Sequence, residues 1–370
     1  MTIALLGKRD SPTDAVEDYC QLLSRAFDKR GVASVLVRVP WDEAGWARAV
    51  RDLWRKSAHR KGHWVLVQYT ALMWSRRGFP LRFLIVLALL KIRKARLAVV
   101  FHDPEPYAGR RPVDRLRRAC QRFVMRGSYR AADASILCVP LESVSWLPRN
   151  PAKASFIPVG ANIPAIRGTG VPPVNGHGQD GHTTGRTIAV FGITGDGDIG
   201  NEVPDIAFVA KTVAEGFNRL QLVTLGRGSA ESEGRFRKAL NGSRVEYNSL
   251  GVLPAEGVSR ILAASDVALF VRGCASTQRG SAIASIACAL PLVAYADSSL
   301  AAPLAEAGVV PVPCGDRESL AQAALRVLTD GPFWLDLHQR SERAHQRYFS
   351  WEAVAGRFTE LLDDAQENHA

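Results

Sequence analysis

Short apolar runs alternate with amphipathic segments along nearly the whole chain, and the alternation breaks only once. In the first half, Ile3–Leu6, Ala33–Val39, His63–Gln68, Leu97–Phe101, Ala134–Val139 and Ala154–Val159 read as strands. Helical periodicity fills intervals at Val16–Lys29, Trp41–Lys56 and Pro80–Lys94. Strand–helix–strand units pair their strands in parallel and cover both sheet faces, so the pattern predicts a doubly wound α/β sheet. Residues 166–186 are rich in Gly, Pro, Thr and His, lack periodicity, and read as a flexible linker or surface insertion. His177 and His182 lie there with no cysteine or acidic cluster beside them, so no metal site is expected.

The alternation then restarts. Thr187–Ile193, Leu220–Leu225, Val245–Asn248, Val267–Val271 and Leu292–Ala294 read as strands. Pro204–Phe217, Ser232–Leu240, Pro254–Ala264, Ser281–Cys288 and Arg317–Leu328 read as the helices between and after them. One core rarely serves more than about 250–300 residues, and this chain has 370. Two Rossmann-like domains are therefore expected, at 1–165 and 187–349. They should face a cleft, with ligands beyond the carboxyl ends of the strands.

Charge is divided unevenly. The net charge is +11, but residues 1–165 carry 29 basic and 13 acidic side chains, whereas the remainder is net acidic. A positive first domain suits an anionic surface or a phosphorylated ligand. Nucleic acid is not expected as a partner, because no recognised binding module or aromatic interleaving accompanies the charge. The longest apolar run, Phe83–Leu90, is far short of the roughly 20 residues that span a bilayer. The N-terminus lacks the pattern of a signal peptide, and a cytoplasmic protein is expected. Six scattered cysteines show no CxxC spacing, so neither zinc nor a disulfide framework is implied, and reduced buried thiols are expected.

Several segments carry a resemblance. IALLGKRDSPTDAVEDYCQLLSRAFDKRGVASVLV opens the chain and VVFHDPEPY follows in mid-domain. KASFIPVGANIP, VEYNSLGVLPAEGVSRILAASDVALF, ACALPLVAY and YFSWEAVAGRFTELL come later, in the same order as in a known family. Together they resemble the family-4 group of glycosyltransferases with the GT-B fold, over nearly the whole chain. The resemblance implies that the terminal helix, residues 350–366, packs back onto the first domain. One departure stands out. The two glutamates usual before the A-C-G-L-P segment are replaced by Ser276 and Ala284, so the donor ribose must be held differently, or not at all.

In their place stands Thr277-Gln278-Arg279-Gly280-Ser281. A helix start offers free backbone N–H groups, and an adjacent guanidinium makes it suit a diphosphate. The plainer reading has Ser281 as helix cap, Gly280 as turn and Arg279 as a solvated side chain. Gly195-Asp196-Gly197-Asp198-Ile199-Gly200 matches both a dinucleotide pattern and a D-x-D metal pattern. Pro204, expected to open the next helix, leaves the third glycine in the loop, and no acidic residue follows the next strand. The run is read instead as the first donor loop, with Gly195 and Gly197 near the donor. Relatives often carry an Arg and a Lys there. This loop has neither, so Arg227, Arg272 and Arg279 are the candidate substitutes.

His102 and Asp103 follow an apolar strand, where ligands bind. The resemblance implies a histidine here that touches the donor sugar or the acceptor, with Glu105 a weaker neighbour. In the first loop, Thr13 and Asp14 are candidates for acceptor binding, although Asp14 also reads as a helix cap. Transfer of a hexose from a UDP- or GDP-sugar to a glycan or lipid-linked acceptor, with retention, is what the resemblance implies. The pathway would be cell-surface polysaccharide or glycolipid synthesis. No obligatory cofactor or metal is expected, because helix termini and basic side chains can stabilise the leaving diphosphate. Loss of the paired glutamates leaves open a non-catalytic homologue acting as a scaffold or regulator. Finally, Arg111, Arg115, Arg118, Arg122 and Arg126 recur at helical spacing on one face, with Leu116, Phe123 and Val124 lying away from that stripe, free to pack on the domain or dip into lipid. Such a face suits peripheral attachment to the anionic inner side of the cell membrane.

Overall fold

The computed structural model describes residues 2–10, 14–58, 61–109, 111–166, 185–194, 202–297 and 300–367. Thr13, Gly195, Gly197 and nearly all of the 166–186 insertion lie outside the described residues. The chain divides into two compact units. One comprises Met1–Val159 with Trp351–Ala370, and the other Gly160–Ser350.

The first unit runs β1 (Thr2–Leu6), α1 (Ala15–Lys29), β2 (Ser34–Arg38), α2 (Trp41–Ala44), α3 (Trp46–Lys56), β3 (Trp64–Tyr69), α4 (Phe83–Ile92), β4 (Arg96–Phe101), α5 (Pro112–Ala131), β5 (Ala134–Leu137) and β6 (Ala154–Phe156). The strands are all parallel, in the order β2-β1-β3-β4-β5-β6. The central strands β3 and β4 are buried along almost their full length, as helices on both faces require. The terminal helix Trp351–Glu367 closes this unit against α1, with Tyr19 edge-on to Trp351 and Phe27 edge-on to Phe358. Strand order reverses between β1 and β3. There Gly7 approaches the Met73 carbonyl so closely that a Cβ would lie 2.6 Å from its oxygen, and Lys8 donates its N–H to the same carbonyl at 2.9 Å.

The second unit runs β7 (Arg186–Phe191), α6 (Glu202–Ala214), β8 (Leu220–Leu225), α7 (Ser229–Ala239), β9 (Val245–Ser249), α8 (Ala255–Ala263), β10 (Val267–Phe270), α9 (Gly280–Ala287), β11 (Leu292–Ala296), α10 (Ala302–Glu306), β12 (Val310–Pro313), α11 (Arg317–Thr329) and α12 (Gly331–Ala344). Its parallel order is β12-β11-β10-β7-β8-β9, with the reversal between β7 and β10. Ile188, Val209, Val213, Leu222, Phe236, Leu269, Val293 and Leu320 belong to its core. Inside it, the Tyr295 hydroxyl donates to Asp205 at 2.8 Å and ties β11 to α6.

Four expectations are corrected. The helix expected over Trp41–Lys56 breaks at Gly45, whose φ of 77° is open to glycine at little cost. α6 begins two residues before Pro204, which sits in the first turn, where its missing N–H would have had no helical acceptor. β12 escaped the periodicity because it reads Val-Pro-Val-Pro. Its prolines are tolerated because it is an edge strand, pairing only with β11. The cysteines are not all buried thiols. Cys274 and Cys314 form a disulfide across 40 residues, while Cys20, Cys138 and Cys288 are buried and in no disulfide.

Candidate functional site

In the second unit the strand reversal places the exits of β7 and β10 side by side, the position where such sheets take ligands. β7 leaves through Gly192, at φ 80°. A Cβ built there would lie 3.7 Å from Ser281 Oγ, so the bare backbone of this turn faces the first turn of α9. α9 starts at Gly280, one residue earlier than expected, so Ser281 lies within it and does not cap it. Arg279 holds the cap position, extended at φ −87° and ψ 96°, and makes no side-chain cap hydrogen bond. The opening amides of α9 are thus left without a side-chain acceptor from that position.

Three exposed arginines lie on neighbouring strand exits or at the start of α9. Arg227 follows β8, and its carbonyl accepts the Ile193 N–H at 3.3 Å. Arg272 follows β10, and Arg279 opens α9. Thr277 is fully buried at 0% exposure, beneath the loop rather than on its surface. Its neighbours Ser276 and Gln278 each hold a buried oxygen, Oγ and Oε1, that has no hydrogen-bond partner among the described residues. Ala284 is buried within α9. Glu202, buried at the start of α6, accepts both the N–H and the hydroxyl of Thr194, at 2.7 and 2.8 Å. Gly192, Glu202 and Thr194 were missed in the sequence. The glycine that ends an apolar strand was the available signal for the first of them.

In the first unit, His102 follows β4 and is half-buried. Its Nε2 lies 2.8 Å from Oε1 of the buried Gln68, and its ring meets Tyr19 edge-on at 4.8 Å. Burial lowers its pKa to about 4, partly offset by the Asp14 carboxylate. The imidazole is therefore neutral at physiological pH. Asp103 is exposed beside it. Glu105 is held by the N–H and hydroxyl of Ser145, at 2.6 and 2.8 Å. Asp14 caps α1, accepting the Val16 and Glu17 N–H groups at 3.1 and 3.0 Å. Its second oxygen pairs with Arg38 at 3.1 Å. Helix capping and an ion pair thus occupy the Asp14 carboxylate.

The arginines of α5 are not one uniform solvated stripe. Arg111, Arg115 and Arg126 are exposed, while Arg118 and Arg122 are half-buried. Arg118 donates to the Tyr107 and Gly109 carbonyls, and Arg126 to the Trp146 carbonyl. Asp114, the acidic residue within the stripe, pairs with Arg117. Val124 is buried, but Leu116 and Phe123 stand 65% and 61% exposed, with Ile85 of α4 also exposed. Among the described residues, no helix is long and apolar enough to cross a membrane.

No protein-family model and no curated protein sequence matches the chain. Solved structures do. HepE from Anabaena, in complex with UDP and glucose, matches with a TM-score of 0.66 at 12% identity, over 98% of this chain and 100% of that one. Sucrose-phosphate synthase from Thermosynechococcus elongatus matches at 0.66 and 17% identity, over 100% of both chains. The chain has the GT-B fold. An apo structure of OtsA adds a TM-score of 0.61 at 12% identity, covering 98% of this chain and 99% of that one. At these identities the likeness is one of GT-B architecture.

Proposed function

We propose that this chain is a glycosyltransferase that moves a sugar from a UDP- or GDP-sugar to a hydroxyl of a glycan or lipid-linked acceptor. One observation carries the reading. At the β7/β10 reversal the Gly192 turn faces the start of α9, which has no cap from the Arg279 side chain, and exposed arginines follow β8 and β10 and open the helix. Such a place favours a diphosphate, whose charge grows as the sugar–phosphate bond breaks. Backbone N–H groups near Gly280 and Ser281 bind the phosphates, with Arg279, Arg227 and Arg272 supplying positive charge. The unsatisfied oxygens of Ser276 and Gln278 suit donor hydroxyl or amide groups in place of the missing carboxylates. HepE was solved with UDP, which supports the same donor class here.

His102, at the exit of β4, is assigned to sugar binding, as the family resemblance implies. A neutral imidazole accepts a hydrogen bond there through Nδ1, but does not serve as a cationic acid at neutral pH. Retention of configuration rests on the family resemblance. The exposed Arg111, Arg115 and Arg126 beside Leu116 and Phe123 support docking on an anionic membrane, which fits a lipid-linked acceptor. Calorimetric titration with UDP and GDP tests the donor site. Arg279→Ala should weaken the preferred nucleotide by roughly 10- to 100-fold, the loss of a charge-assisted bond of about 1.5–3 kcal/mol. Unchanged affinity in that variant would remove Arg279 from the site, and binding without turnover of any UDP- or GDP-sugar would favour a non-catalytic role.

A further inference from the structure

The cysteine spacing in the sequence predicts no cross-link, yet the fold joins Cys274 to Cys314. Cys274 lies in the exit loop of β10 and Cys314 in the turn after β12, so the bond bridges over the end of β11. Asp297 follows β11, and its Oδ1 is 3.3 Å from Cys274 Sγ. Cys314 is exposed and Cys274 half-buried, so both are within reach of soluble thiols and disulfides. The loop they anchor, residues 272–279, leads directly into α9. Its backbone hydrogen bonds include Ala275 N–H to the Tyr295 carbonyl at 2.7 Å, which ties it to β11, and Arg279 N–H to the Ser276 carbonyl at 3.0 Å.

We propose that Cys274 and Cys314 are a reversible redox link that fixes the β10 exit loop ahead of α9. In the dithiol state, the exposed Cys314 thiolate attacks one sulfur of a small-molecule disulfide of the glutathione class. A mixed disulfide forms and one thiolate leaves. The Cys274 thiolate then attacks the Cys314 sulfur, the protein disulfide closes and the second thiolate leaves. Two electrons pass from the protein to the small disulfide, and the two cysteine protons reach the released thiols through water. In the dithiol state the Asp297 carboxylate, whose Oδ1 is 3.3 Å from Cys274 Sγ, can accept a hydrogen bond from the Cys274 thiol. Closing the link restricts local opening of the loop and steadies the opening amides of α9. An effect on nucleotide affinity rests on the proposed donor site. The link itself does not.

The test uses the full chain equilibrated in reduced or oxidised glutathione, followed by alkylation, peptide mass spectrometry and hydrogen exchange. Oxidation should protect two thiols from alkylation, on the Cys274 and Cys314 peptides, and excess dithiol should restore them. Exchange across residues 272–281 should slow about tenfold in the oxidised state, and Cys314→Ser should exchange at the reduced rate in both buffers. Full alkylation of both cysteines in oxidised glutathione would overturn the link, as would identical exchange in the two states. So would a zinc ion held by the reduced chain and lost in Cys314→Ser, which would make the trio Cys274, Asp297 and Cys314 a metal site. Failure of UDP and GDP to bind in either state would count against the donor site alone, since exchange still reads the link.

Discussion

Oε1 of Gln68 accepts the Nε2–H of His102 at 2.8 Å, and this contact sets the histidine tautomer. The amide nitrogen of Gln68 donates to the Leu66 carbonyl at 3.2 Å, so its oxygen must face the ring. Nε2 therefore carries the proton, and Nδ1 keeps its lone pair. A glutamine buried in β3 thus orients the imidazole that follows β4, two strands that are neighbours in the sheet.

The low pKa of His102 makes it an acid-sensitive element. Its folded value of about 4 lies below its ordinary 6.5, so on acidification the unfolded chain takes up the proton first. The stability this confers is complete above pH 6.5 and is lost as pH falls towards 4. Urea unfolding of wild type and His102→Asn should show their stability difference shift by roughly 1–3 kcal/mol between pH 7 and pH 4, to the disadvantage of wild type. A difference that stays constant with pH would refute the neutral state of the imidazole.

Two glycines should respond oppositely to alanine. At Gly7 the new methyl would meet the Met73 carbonyl oxygen at 2.6 Å, and backbone must move. Thermal unfolding should show a loss of about 1–3 kcal/mol. Gly234 lies inside α7, and a methyl added there would meet nothing within 4 Å. Gly234→Ala should instead add about 0.5–1 kcal/mol through helix propensity.

Thiol reactivity should divide the cysteines by burial. Burial pushes Cys138 up to about 12 and Cys288 up to about 11, and raises Cys20 further. These three should resist iodoacetamide at pH 7.5 in the native protein, because almost no thiolate is present. Cys120 is less buried, though burial raises it too, and should label first among the four cysteines outside the disulfide. Labelling of Cys138 as fast as in denatured protein would contradict the packing of β5.

Membrane docking should need both parts of the α5 surface. Co-sedimentation with vesicles containing anionic lipid should fall with salt. Arg111→Glu with Arg115→Glu should weaken binding strongly, at about 1 kcal/mol for each basic residue lost near the surface. Leu116→Ser with Phe123→Ser should weaken it even at low salt. Equal recovery in the supernatant for wild type with neutral and with anionic vesicles would dispose of the idea.

Sequence alone determined the α/β class and the two sheets. Parallel strands buried on both faces must be continuous apolar runs, and His102, Arg272 and Arg279 could be located because they follow or precede such runs. What tertiary structure decided was which strand exits become neighbours. Periodicity records that a segment is a strand, but carries no information on strand order. Order puts Gly192 against Ser281, Gln68 against His102, and Cys274 against Cys314, pairs separated by 34 to 89 positions along the chain. It also made β12 possible despite its prolines, since only an edge strand can leave their side of the ladder unpaired. Local chemistry is written residue by residue, whereas the candidate site is assembled from contacts that exist only after the sheets close.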